Sequence, residues 1–153
     1  MVSAVFTESI LLIASLTLAG IFASMIIGKS STIQSLFSTQ THIQRDIMLT
    51  SIKIVYVNAG NDTIRVYVKN IGVNTIADLD AVDVYFGELA SLSMIPYNSS
   101  NTPRWIYTDN SIWDPKETKE LVITLNSSLQ TGKTYMVKIV LHNGVTDEYI
   151  FSY

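Results

Sequence analysis

The chain has 153 residues, 48% hydrophobic and 15% charged, with ten Lys and Arg against thirteen Asp and Glu for a net charge of −3. Once an apolar N-terminal stretch is set aside, about a hundred residues remain, enough for one core and not for two. No stretch collects Lys and Arg, which excludes the basic footprint of a nucleic-acid-binding protein, and the lack of cysteine excludes disulfides, thiolate-bound zinc and thiol catalysis.

Residues 10–28 (ILLIASLTLAGIFASMIIG) run nineteen positions without a charge. A helix of that length, at ~1.5 Å per residue, covers roughly 28 Å, close to the ~30 Å hydrocarbon core of a bilayer. The run reads as a retained anchor rather than a cleaved signal. No Lys or Arg precedes Lys29, the run is long for a signal, and KSSTIQ after it offers only a weak cleavage site. Glu8, one turn before the run, fits the first helical turn, where a carboxylate favours the positive end of the dipole. Gly20, Ala23 and Ser24 share one face at i, i+3 and i+4. Small residues there either let a second helix approach closely or are simply tolerated against lipid.

Signals for the side of the membrane disagree. Lys29, Arg45 and Lys53 all follow the run, which counted literally keeps the remainder in the cytoplasm. Three N-x-[ST] acceptors, at Asn61, Asn98 and Asn126, each fall in a predicted turn of a surface rich in Ser, Thr, Asn and Tyr. We expect a single-pass protein of the cell membrane with its C-terminal domain outside.

Residues 30–50 place Ile33, Leu36, Phe37, Ile43 and Ile47 every three or four positions, the pattern of an amphipathic helix. This predicts either one long helix or two pieces hinged near Gly28, the second acting as a stalk. From Ser51 the period becomes two. Ile52, Ile54 and Tyr56 alternate with Lys53, Val55 and Val57, and Ile64, Val66 and Val68 with Arg65, Tyr67 and Lys69. Further strands are predicted at 81–86, 105–107, 120–125, 135–141 and 146–153, the last two joined by His142-Asn143-Gly144, a strong hairpin signal. Seven short strands separated by turns and no helix imply an immunoglobulin-like sandwich. The fold class is α+β: one long N-terminal helix, transmembrane plus stalk, followed by an all-β sandwich. The division is 1–28 for the membrane helix, 29–50 for the stalk and 51–153 for the sandwich. If the C-terminal strand is an edge strand, it offers pairing to a partner strand.

Little chemistry is provided for. His42 and His142 stand alone, which leaves neither a metal nor a nucleophilic serine the partners it needs. Asp78, Asp80 and Asp83 read as turn residues and a solvated strand face. No Gly-rich phosphate loop occurs. The chain is therefore expected to be no enzyme and to carry no cofactor or metal. Recognition is better served by residues 92–115, which hold all three prolines and both tryptophans. Tyr97, Trp105, Tyr107 and Trp113 are residue types that dominate binding surfaces. The other reading is that Trp105 and Trp113 plug the ends of the sandwich core.

The helix at 4–24 (AVFTESILLIASLTLAGIFAS) resembles the N-terminal helix of type IV pilins and archaeal flagellins. In those families such helices pack into a filament core and an acidic residue, here Glu8, caps a neighbour's amino terminus. Over its whole length the chain resembles the archaellum accessory proteins of the FlaG family, with FlaF as the second choice. The carriers are ESILLIASLTLAGIFAS at 8–24 and RVYVKNIGVNTI at 65–76. The resemblance implies a stator-like part of the archaellum, with the helix in the membrane and the sandwich beneath the surface layer. The partners it implies are S-layer protein and a second, FlaF-like accessory protein. Self-association through helix and sandwich is a further expectation. The alternative is a filament subunit assembling through the helix.

Overall fold

The computed structural model describes residues 2–153, with side chains from Val5 onward. Helix α1 runs Val2–Leu49 with no break at Gly28, so of the two expected arrangements the single helix is found. No proline enters it. Its hydroxyl side chains bond back to the preceding turn: Ser9 Oγ donates to Val5 O at 2.8 Å, Thr17 Oγ1 to Ala14 O at 2.8 Å and Ser24 Oγ to Gly20 O at 2.9 Å. Such bonds satisfy a polar group where no water is at hand, which lets Ser and Thr face hydrocarbon. All described side chains of residues 5–45 are exposed. The chain divides into two compact units, residues 1–42 and residues 43–153.

The second unit is a β-sandwich. Its strands are β1 (Ile52–Ala59), β2 (Thr63–Asn70), β3 (Asp83–Glu88), β4 (Ser91–Ile95), β5 (Arg104–Tyr107), β6 (Thr118–Thr124), β7 (Thr134–Val140) and β8 (Thr146–Ser152). One sheet has the order β1-β2-β6-β5 and the other β4-β3-β7-β8. Every pairing is antiparallel. The alternation read from sequence places Ile64, Val66 and Val68 of β2 inward, against Val84, Val137 and Ile139 of the facing sheet. Each fully buried side chain of this size is worth ~1.5–3 kcal/mol relative to exposure. The α+β architecture of one long helix and a sandwich is as expected.

Three features depart from the sequence reading. First, β4 is an eighth strand in a segment expected to be irregular. It is a sheet edge with only Ile95 buried, so it lacks the alternation that marks a half-buried strand. Its hairpin is tight enough that a Cβ on Gly87 would lie 2.1 Å from Ser91 O. Second, β1 carries a bulge between Ile54 and Tyr56 that resets the alternation. Tyr56 turns outward to stack on Tyr67 with ring centroids 6.0 Å apart, while Val57 and Ala59 pack on the core. Third, a 3₁₀ turn at Leu79–Ala81 interrupts a region expected to hold no helix, with Leu79 buried.

Asn70 closes the end of β2 and is fully buried. Its Nδ2 donates to Asn74 O at 2.8 Å and to Trp113 O at 3.3 Å, and its Oδ1 accepts from Gly72 N at 3.0 Å. Removing that amide takes the side-chain donor from Asn74 O, one of two donors from Trp113 O, which keeps Ile76 N, and the acceptor Oδ1 from Gly72 N, at ~1 kcal/mol each. Asn70→Ala is expected to lower stability by about 2–4 kcal/mol. Urea denaturation followed by tryptophan fluorescence measures this, because Trp105 and Trp113 are the only tryptophans and both are buried.

Candidate anchoring and docking site

On the helix, Gly20 and Ser24 line a shallow hollow with Thr17, Ile21 and Met25, and a Cβ at Gly20 would meet nothing within 4 Å. No described side chain covers this hollow. Glu8 is exposed and no acidic residue lies in the first turn of α1. The helix starts at Val2, too early for the dipole account of Glu8, whose effect fades within one turn.

Residues 46–51, where α1 ends and β1 begins, are bonded into the sandwich. The Asp46 carboxylate accepts from Asn74 Nδ2 at 2.9 Å through one oxygen and from Asn143 Nδ2 at 2.9 Å through the other. Leu49 O accepts from Val73 N and Asn74 N, and Ser51 O from Ile71 N and Gly72 N. Carbonyls orphaned by the helix end are thus satisfied by the β2–β3 connection. A Cβ on Gly72 would sit 2.6 Å from both Leu49 O and Ser51 N, so the approach depends on glycine. Sequence reasoning took residues 70–72 as a turn and residues 29–50 as a helical stalk, without singling out Asp46. Nothing in local periodicity signals a bond over 97 positions.

At the tryptophan-bearing part of the sandwich, Tyr97, Trp105 and Tyr107 pack as one cluster. The Tyr97 and Trp105 centroids are 4.7 Å apart, and those of Trp105 and Tyr107 4.9 Å. Trp105 and Trp113 are 1% and 0% exposed and Tyr107 7%, so these rings lie in the core rather than on a binding surface. Of the four, only Tyr97 reaches solvent, half-buried, with its hydroxyl donating to Asn110 Oδ1 at 3.1 Å. It lines a polar cleft of about 370 Å³ with Leu79, Asp80, Asn98, Asn110 and Ile112. The Tyr107 hydroxyl is buried without a partner among the described residues, and burial pushes its pKa upward.

Beside this cluster, Lys119 is buried on the inner side of β6, in phase with Leu121 and Ile123. Its ammonium contacts Ser111 Oγ at 2.6 Å, Asp109 Oδ2 at 2.9 Å and Glu117 Oε1 at 3.0 Å. Trp113 Nε1 donates to Glu117 O at 3.1 Å. The β5–β6 loop is thereby latched onto the sheet. The sequence reading began β6 at Glu120 and so missed this lysine, although the alternation Lys119-Leu121-Ile123 extends to it. The acceptors Asn61, Asn98 and Asn126 are all exposed, with Asn61 Oδ1 also accepting from the Tyr153 hydroxyl at 2.8 Å. Among the described residues no group of three His, Cys, Asp or Glu side chains is placed to hold a metal ion.

The chain is thus one apolar helix of membrane-spanning length followed by one antiparallel sandwich. Residues 3–151 match the family described as archaeal-type flagellin, and the chain belongs to that family. It is similar to the archaellum periplasmic stator protein FlaG from Sulfolobus acidocaldarius, at 35% identity and TM-score 0.65 over 67% of this chain and all of that one. The complex of FlaF and FlaG from the same organism matches at 35% identity and TM-score 0.63, over 67% of this chain and 90% of the other. The archaeal flagellum of Methanospirillum hungatei strain JF1 shares the fold at TM-score 0.77 and 16% identity, over 96% of this chain and 92% of that one. No curated protein matches. The chain is a structural component of the archaellum, and its relatives are structural or stator proteins rather than enzymes.

The latch makes the loop sensitive to acid. Bonds from Ser111 and Lys119 lower the Asp109 pKa from 3.8 to about 2. A bond from the Asp114 N–H and another from Lys119 lower that of Glu117. Burial pulls Lys119 down, but its carboxylate partners outweigh this and raise it. A carboxylate with a depressed folded pKa stabilises above its unfolded value, and that contribution vanishes as pH falls through the folded one. The loop is expected to release between pH 3.8 and about 2, seen as a change in Trp113 emission before global unfolding. Lys119→Met shifts the onset to higher pH.

Proposed function

We propose that this chain is a stator-like subunit of the archaellum. Its helix is held in the cell membrane over residues 1–28, residues 29–50 form a stalk, and the sandwich over 51–153 lies on the extracytoplasmic side. There the sandwich binds S-layer protein and a second accessory protein of FlaF type, and so fixes the machinery to the envelope. The observation that carries this reading is the joint at Asp46. An anchor that resists torque must pass load from its binding domain to the chain entering the membrane. A carboxylate held by two asparagines, with four main-chain bonds beside it, fastens residues 46–51 to the sandwich. The helix is the one element long and apolar enough to cross a bilayer among the described residues. The name of the Sulfolobus relative, a periplasmic stator protein, agrees with the side chosen. We assign partner docking to Tyr97 and the cleft it lines, with Trp105, Tyr107 and Trp113 as the core beneath it. The exposed acceptors Asn61, Asn98 and Asn126 are open to glycans on the same side.

A filament subunit is the second reading. It is favoured by the fold likeness to the M. hungatei flagellum across 96% of this chain, and by a helix whose described side chains from Val5 to Ile43 are uncovered. Here the shelf at Gly20, Ala23 and Ser24 and the Glu8 carboxylate serve helix packing.

Affinity capture of the tagged full-length chain from mildly solubilised envelopes separates the two. Recovery of S-layer protein or a FlaF-type protein supports the stator. Recovery of neither, with the chain sedimenting as polymers, supports the filament. Under the stator reading Tyr97→Ala reduces capture at least tenfold, as loss of an aromatic anchor worth ~2 kcal/mol does. Asp46→Ala leaves membrane insertion intact, speeds hydrogen exchange of the Gly72, Val73 and Asn74 amides, and reduces swimming.

A further inference from the structure

Three connections meet at the polar cleft beside Tyr97. Asp80 comes from the one between β2 and β3, Tyr97 and Asn98 from the one between β4 and β5, and Asn110 from the one between β5 and β6. Bonds fix each of them. Ile76 N donates to Trp113 O and Trp113 N to Ile76 O, both at 3.0 Å, which ties the first connection to the third. Asn98 N donates to Trp105 O at 2.9 Å, and the Tyr97 hydroxyl crosses to Asn110 Oδ1 at 3.1 Å. Asn110 is also bracketed by the latch, since Lys119 holds Asp109 on one side of it and Ser111 on the other. A cleft built this way is ordered before a ligand arrives, so less ordering entropy opposes binding.

Its open polar groups are of mixed kind. Among the described residues the Asp80 carboxylate, the Asn98 amide and Asn110 Nδ2 have no bonded partner. The carboxylate only accepts, Nδ2 only donates and the Asn98 amide does both. The Tyr107 hydroxyl is also buried without a partner among the described residues. Burial, and then the charges of Tyr97 and Asp80, push its pKa upward. The volume of about 370 Å³ lies within the ~300–1,000 Å³ of small-ligand sites. An Arg or Lys side chain only donates, so it would answer Asp80 and oppose the amide N–H groups. A metal ion takes oxygen ligands, and Asp80 is the one carboxylate among the described residues lining the cleft. A hydroxyl both donates and accepts, and neighbouring hydroxyls on one ring answer a carboxylate and an amide together. Tyr97, half-buried, adds an aromatic wall for the apolar C–H face of such a ring.

We propose that this cleft is a carbohydrate site, taking a glycan carried by a protein of the envelope. Ring hydroxyls donate to Asp80 and accept from Asn98 and Asn110, and the sugar lies against Tyr97. This rests on the docking role of Tyr97 and names the chemistry of what docks. Asn98 is itself an N-x-[ST] acceptor, and a glycan attached there would fill the cleft from within the same chain. Ser100→Ala, at an exposed position, removes the acceptor and leaves the Asn98 side chain in place.

The test uses the full-length chain carrying Ser100→Ala, in nanodiscs. The probes are glycans released from envelope proteins of the source cell, with binding followed by saturation-transfer NMR. Binding is expected, with Asp80→Ala and Asn110→Ala each weakening it at least tenfold. Both sites are exposed, and unchanged tryptophan emission confirms the fold. Periodate cleaves neighbouring hydroxyls, and glycans so treated are expected not to bind. No binding, equal binding after periodate, indifference to both substitutions, or binding only of glycans released from envelope lipids overturns the proposal. Affinity capture separates this from the docking role. If Tyr97→Ala abolishes capture of an envelope protein that is still captured after deglycosylation, docking stands and the carbohydrate site falls. If the glycans bind as expected and Tyr97→Ala leaves capture unchanged, the carbohydrate site stands and the docking role falls.

Discussion

A helix with no protein over it sets the terms for everything else in this chain. Its side chains contribute nothing to a core, so the sandwich must fold on its own inward faces, and the helix must be covered by lipid or by other helices. Both demands are visible in the residues. Ser9, Thr17 and Ser24 spend their hydroxyls on their own backbone. The sandwich buries a set of Ile, Val and Leu side chains together with two tryptophans, all drawn from 43–153.

What was legible in the sequence was whatever periodicity encodes. The uncharged run at 10–28 announces the membrane-length helix, and the alternation at Ile64, Val66 and Val68 gives β2 its inner face. Asn143-Gly144 gives the last hairpin, with Gly144 at φ +84° as such a turn requires. Illegible were the features that depend on tertiary neighbours. β4 is a strand because β3 is beside it, not because its own residues alternate. The bulge at Val55 moves Tyr56 to the opposite face from the one a strict period assigns. Trp105 and Trp113 had two readings that composition does not separate, and their burial decides for the core.

The polar fastenings were the least visible of all. Asp46 with Asn74 and Asn143, and Lys119 with Asp109 and Glu117, join residues that are apart in sequence or out of the expected pattern. Each replaces hydration by bonds of fixed direction, which is how a polar side chain is accommodated at the margin of a core. Each also ties down a segment with no ladder of its own, the helix end in one case and the β5–β6 loop in the other. They divide the labour with the apolar core: the core supplies most of the free energy, and the fastenings set where the non-strand segments lie.

The two methionines on the outer face of the second sheet, Met94 and Met136, have a further consequence. The chain holds five methionines and no cysteine, so thioether is its only sulfur. Peroxide converts thioether to sulfoxide, a polar and chiral group, and dedicated reductases reverse the change. On this face the conversion makes an apolar, solvent-exposed side chain polar at Met94, which is 55% exposed. The polarity of that patch thus changes with oxidation of a side chain that bears no charge in either state.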